Sequence, residues 1–151
     1  MPIKPEHRWF YPIDWPELSR LIRFKRAKGR CERCRRPHGR DVSHLGNGVW
    51  WDDDFSRWRD GQGRVVRRLP PPDDLQKAQP GLTGIGAPAV MQTTRVVLAS
   101  AHLNHDPTDN RQRNLAALCQ RCHMIHDAPE HCRRRILNAF RRRARRDLFA
   151  S

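Results

Sequence analysis

TRVVLASAHLNHDPTDNRQRNLAALCQRCHMIHD, running from Thr94 to Asp127, is the stretch that decides the fold. Val96-Val97-Leu98 is an apolar, β-branched run and predicts a strand. That strand delivers His102 into the loop HLNHDPTDN, whose Asn, Asp and Pro residues are turn chemistry. A second short apolar run, Leu115 to Leu118, leads into Cys119-Gln-Arg-Cys122. His123 and Asp127 follow four residues apart, so they share a face if a helix starts there. Imidazoles, a carboxamide and a carboxylate in strand–loop–helix order, beside a cysteine pair, are the residue types of a metal site.

A second pair, Cys31-Glu-Arg-Cys34, lies far upstream. Each CxxC turn presents two sulfurs to one ion, and zinc takes four thiolates in a tetrahedron. A redox role fits poorly, because neither pair sits in a βαβ context. The reading is therefore one structural zinc held by Cys31, Cys34, Cys119 and Cys122, with Cys132 left over as a helix core residue.

The segment 94–127 resembles the core of an HNH endonuclease, in which a ββα-metal finger holds one divalent cation between a hairpin and a helix. His102, Asn114, His123 and Asp127 match the family pattern in order, and Asn114-Leu115 and Leu118-Cys119-Gln-Arg-Cys122-His123 match its flanking letters. The resemblance implies an α+β fold: a small ββα-metal core braced by the four-cysteine zinc, with basic N- and C-terminal helices and a loop-and-hairpin insertion. It also implies a catalytic Mg2+, Mn2+ or Zn2+, and a setting such as phage packaging, restriction or a mobile element. One position departs from the pattern. Many family members carry a metal-binding residue before the strand-end His, and here that residue is Ala101, which has no donor atom. Either the ion has fewer protein ligands, or His105 or Asp106 substitutes from the loop.

Phosphodiester hydrolysis needs a base for water, a Lewis acid for the phosphate and a stabilised leaving oxygen. Imidazole suits the base because its pKa lies near neutrality. His102 is assigned that role, with His105 as the rival base or else a metal ligand. The resemblance gives Asn114 a hydrogen bond across the loop that orients the base, although alone it reads as a turn residue. His123 and Asp127 are assigned to the catalytic ion; Asp127 could instead cap the helix that follows, but its i, i+4 relation to His123 favours the ligand role. His126 receives no role, and Asp109 and Asn110 read as loop formers.

The rest of the chain bounds the function. With 151 residues it suits one domain, residues 1–151, and only 37 % of them are hydrophobic, so the core is thin. Thin cores recruit metals. A net charge of +14 and a pI of 11.2 point to nucleic acid as partner. No apolar run could span a bilayer and no signal-peptide core opens the chain, so the expected location is cytoplasmic, where CxxC pairs bind metal.

Residues 14–29 predict a basic helix, with Asp14 as N-cap, Glu17 at the capping-box position and Gly29 as its stop. Residues 37–93 read as an insertion. Trp50, Trp51 and Trp58 precede an Asp60-Gly-Gln-Gly63 turn, which predicts a hairpin with local aromatic packing. Residues 70–90 are rich in Pro and Gly and predict a mobile loop. Residues 128–149 predict a separate or resumed helix from Pro129, with Cys132, Ile136, Phe140, Ala144 and Leu148 as its apolar stripe. Its arginines, among them Arg133, Arg134, Arg141, Arg142, Arg143, Arg145 and Arg146, predict DNA phosphate contact. The function read from all this is metal-dependent DNA cleavage of low sequence specificity. The competing class is a non-catalytic zinc-containing DNA-binding module, and charge alone also admits RNA.

Overall fold

Two antiparallel sheets meet at the apolar run Val96-Val97. The computed structural model describes residues 5–77 and 91–148, with side chains over 8–75 and 91–144. The larger sheet contains β1 Asp41–His44, β2 Trp50–Asp52, β3 Arg57–Arg59, β4 Val65–Val66 and β5 Gln92–Arg95, in the order β4-β3-β2-β1-β5. The smaller is a hairpin of β6 Leu98–His102 against β7 Leu115–Cys119, with His102 opposite Leu115 and Leu98 opposite Cys119. Helix α1 spans Trp15–Arg20, a short α2 spans Pro72–Lys77, and α3 spans Gln120–Leu148. This is an α+β protein.

The run expected as one strand is extended but divided. Val96 and Leu98 are buried while Val97 is half exposed, which is strand alternation. Val96 nevertheless pairs with residues 39 and 40 (Gly39 N to Val96 O, 2.7 Å; Val96 N to Arg40 O, 2.8 Å). The Gln120 carboxamide then bridges the break, accepting from Val97 N at 3.0 Å and donating to Arg95 O at 2.9 Å. The hairpin strand therefore begins at Leu98, two residues later than its apolar run.

The N-terminal helix is shorter and less regular than expected. Asp14 makes no side-chain cap, and its carbonyl accepts from Glu17 N and Leu18 N instead. After Arg20 the chain widens into a π-helical turn over Leu21–Arg26, where Ala27 N donates to Ile22 O five residues back. Gly29, at φ +69°, ends it by donating to Arg23 O at 2.9 Å.

The insertion is larger in structure than one hairpin. Trp51 and Trp58 pack edge to face at 5.4 Å across the β2–β3 pair, the local use expected of them. Strands β1 and β5 add to that hairpin, and β5 has no sequence signature, because Gln92-Thr-Thr-Arg95 is exposed throughout and carries no apolar period. Pro72–Lys77 is helical where a structureless loop was expected, and the expected mobile loop lies, over 78–90, outside the described residues.

Helix α3 corrects two further expectations. It runs unbroken through Pro129, so 120–127 and 128–148 are one element. Its main packing partners are β6 and β7, which its first turns reach. Every described residue from 131 to 144 is exposed, so Cys132 is a surface thiol and not a core residue. Ile136 and Phe140 are likewise uncovered. No described helix is long and apolar enough to cross a membrane.

The core gathers Ile22, Val42, Trp50, Val96, Leu98 and Leu115 around four buried cysteines. Each large apolar side chain buried contributes about 1.5–3 kcal/mol. A core this modest is the kind to which a metal brace would add most.

Candidate metal centres

Cys31, Cys34, Cys119 and Cys122 are free thiols, all buried, with their sulfurs within 4.8 Å of one another. Cys34 Sγ and Cys119 Sγ are 3.5 Å apart. A zinc–sulfur bond of about 2.3 Å gives a tetrahedral edge of roughly 3.8 Å, whereas a disulfide needs about 2.05 Å. The donor set can hold a structural zinc. Hydrogen bonds within the cluster split the four thiols: Cys119 is brought down to about 6 and Cys31 well below the usual thiol range, while Cys34 and Cys122 are pushed up. Without an ion, thiolate, the form a metal needs, is thus favoured at Cys31 and Cys119 alone.

Local structure builds the cluster from both ends of the chain. Cys31 N donates to Arg36 O at 2.9 Å and Arg35 N to Cys31 O at 2.8 Å, closing a tight turn that holds Arg35 at φ +68°. Cys119 ends β7, and Cys122 sits in the first turn of α3. Glu32 ties the first turn to the hairpin, donating from N to Ala117 O at 2.9 Å and accepting from Ala117 N at 2.7 Å. The insertion closes the other side. Trp50 Nε1 donates to Cys34 O at 3.1 Å, and a Cβ on Gly63 would lie 3.2 Å from the Cys34 carbonyl carbon.

A second group lies where β6 ends and α3 begins. His105, His126 and Asp127 bring potential ligand atoms within 4.8 Å of one another. Asp127 uses both oxygens: Oδ1 is 3.5 Å from His105 Nδ1 and Oδ2 is 3.2 Å from His123 Nε2. In a chain with 30 Lys and Arg, a carboxylate whose ionic partners among the described residues are both imidazoles is unusual. His105 reaches the group because its backbone takes a left-handed φ of +60°, and its ring stacks on His126 at 4.4 Å. Burial lowers the pKa of His123, partly opposed by Asp127, which favours the neutral, metal-binding imidazole. His126 Nε2 donates to His102 O at 3.2 Å, leaving its Nδ1 as the free lone pair. A cleft of about 230 Å³ opens over the group, with Tyr11, Glu130, His131 and Arg134 on its walls.

The tautomer of His102 follows from its neighbour. Asn110 Nδ2 faces three carbonyl oxygens, those of Phe10, Pro107 and Thr108. Its Oδ1 therefore faces His102 Nε2, at 3.0 Å, and Nε2 must carry the proton. Nδ1 is left as an acceptor. Trp15 stacks on the His102 ring, nearly parallel at 5.4 Å, and Tyr11 meets it edge-on at 5.7 Å.

The structure gathers His102, His105, His123 and Asp127 around one cleft. Asn114 is buried and crosses the loop, bonding Asn104 N, Asn104 Oδ1 and Asp109 O, and its recorded bonds do not include the His102 ring. Asn114 thus makes bonds across the loop, as expected of it, while Asn110, read as a loop former, is the residue that bonds the His102 ring itself. Asp106 is tied into its own turn by Thr108 and stays outside the group. Ala101 is 1 % exposed and sits in the core opposite Ala116. His126, given no role from the sequence, joins the group, because a residue three after His123 shares its helix face. Tyr11 and Trp15 carry no such signal. Arg133, Arg134 and Arg141 to Arg143 lie on the exposed part of α3, while the side chains of Arg145 and Arg146 lie outside the described residues.

Compared with family models, with curated proteins and with solved structures, the chain matches none of them.

Proposed function

We propose that this chain is a metal-dependent endonuclease of the HNH type that hydrolyses DNA phosphodiester bonds. The observation that carries the reading is Asp127, held between His105 and His123 in an open cleft beside a strand-end histidine with a free Nδ1. The hairpin-then-helix order around that group fits the ββα-metal resemblance. His105, His123 and Asp127 would hold the cation, and His126 supplies a further nitrogen that stands in for the donor lacking at Ala101. When bound, a divalent cation supplies Lewis-acid polarisation of the phosphate and offsets the charge on the leaving oxygen.

The protein's own part is to prepare the base. Asn110 holds the Nε2 proton of His102, Trp15 restrains the ring, and Nδ1 accepts a proton from the attacking water. The exposed arginines of α3 would bind phosphates on either side of the cut without reading sequence.

Nicking of supercoiled plasmid tests this, run with Mg2+, Mn2+ or Zn2+ and again with EDTA. The reading expects cleavage with at least one metal and none with EDTA. Ala101 favours a second reading, a zinc-containing module that binds DNA without cutting it. DNA binding without cleavage under every metal would select that reading.

A further inference from the structure

On the insertion side of the cysteine cluster lies a hollow of about 280 Å³, lined by Arg36, His44, Thr94, Cys119 and Arg121 among others. Arg36 is only 5 % exposed, yet its recorded partners among the described residues include no carboxylate. Its Nη1 donates to Cys34 Sγ at 4.0 Å, its Nη2 to Gly48 O at 3.4 Å, and its guanidinium lies over Trp50. A buried charge without an opposite charge is costly, and proteins rarely keep one. Elsewhere in the cluster Cys119 N also donates to a sulfur, Cys31 Sγ, at 3.4 Å.

Arg121 adds a second guanidinium to the same hollow, between the two cysteines of the β7–α3 turn. The backbone makes room for it. A Cβ on Gly48 would fall 2.5 Å from Arg121 Nη2, and one on Gly61 would fall 3.0 Å from Nη1. His44, also on the wall, has its pKa lowered by burial and by both arginines, and its Nε2 pairs with Thr94 Oγ1 at 2.8 Å. The lining holds two guanidiniums and no acid.

Four thiolates around a divalent zinc carry roughly two negative charges, and these are the missing opposite charge. We propose that Arg36, backed by Arg121, is the counter-charge of the four-cysteine centre and sets how tightly that centre holds zinc. The inference rests on the zinc reading of the cysteines. Arg36 acts as a positioning residue on Cys34, donating to a sulfur that already binds metal. Outer-shell partners of this kind are worth about 10- to 100-fold in metal affinity.

The test uses the full chain. Zn2+ affinity is measured by competition with a chromophoric chelator, and Co2+ absorption reports whether four thiolates still form a tetrahedron. Arg36→Met should weaken Zn2+ binding by at least tenfold while the Co2+ spectrum keeps its tetrahedral form. Arg36→Lys, which keeps the charge, should stay within a few-fold of wild type. Arg33→Met removes an exposed charge from within the first CxxC turn and should change little, because solvent screens it. Wild-type affinity in Arg36→Met would overturn the proposal, as would an equal loss in Arg36→Lys or Arg33→Met. If Arg36→Met does not fold, Arg121→Met decides: a loss of about threefold or more supports the proposal, and unchanged affinity overturns it. Failure of the wild-type protein to bind Zn2+ would instead sink the zinc reading itself.

Discussion

Cys119 and Cys122 are 1 % and 0 % exposed, whereas His123, the next residue along α3, has a side chain 22 % exposed on a cleft wall. A single residue step along the helix therefore separates a closed cluster from an open one. The cysteines are enclosed by the first CxxC turn, the hairpin, the head of α3 and the insertion through Trp50 and Gly63. The histidine group is held from the hairpin side and by α3, and its remaining side faces solvent. Enclosure suits a metal whose work is to hold the chain together. An open wall suits a metal that must meet a phosphate and exchange water.

The sharpest way to break this comparison is to remove a ligand from each centre. Structural zinc contributes apparent binding energies of about 10–16 kcal/mol in small zinc domains, as much as the whole stability of a typical domain. Cys119→Ala, or a strong chelator, should unfold the protein, read as loss of the cooperative melting transition. His123→Ala should leave the melting temperature within a few degrees of wild type. Equal melting losses for the two substitutions would abolish the division of labour.

Asn110 and Asn114 refine the comparison within the open centre. Asn110→Ala frees the His102 ring and should slow cleavage by about tenfold with little change in melting. Asn114 is buried and bonds the loop in three places, so Asn114→Ala should cost about 1–3 kcal/mol of stability, read from denaturant unfolding. If the two effects are exchanged, the orienting role returns to Asn114.

The smallest effect concerns the exposed half of α3. Each phosphate neutralised contributes roughly −0.9 to the slope of log K against log salt. Replacing Arg141, Arg142 and Arg143 with Gln should flatten that slope by up to about three such increments and weaken binding to all sequences alike. An unchanged slope would detach α3 from DNA.

The legible part of the sequence was the part written in local spacing. The CxxC pairs, the twelve-residue step from His102 to Asn114, and the four-residue step from His123 to Asp127 all belong to single turns or hairpins, and the structure brings each pair of ends together. The five-stranded sheet was not legible, since β5 carries its pairing in backbone hydrogen bonds and shows no buried side chain. The unbroken α3 escaped because Pro129 is a local stop signal that the surrounding helix overrides. The stripe from Cys132 to Phe140 has a helical period, but a period cannot say whether anything covers it. Tyr11 and Trp15 reach His102 from the far end of the chain, a contact only tertiary folding supplies.

The measurement that tests the central claim most directly is the nicking rate as a function of divalent metal concentration, taken side by side for wild type, His102→Ala and His123→Ala. General-base catalysis is typically worth about 10²- to 10⁴-fold, so His102→Ala should stay slower by that order at every metal concentration while still binding DNA. His123→Ala should lose activity at low metal and recover part of it at high metal, because a lost ligand weakens binding of the ion. A His102→Ala protein that cuts as fast as wild type would contradict the account, and would move the base to His105.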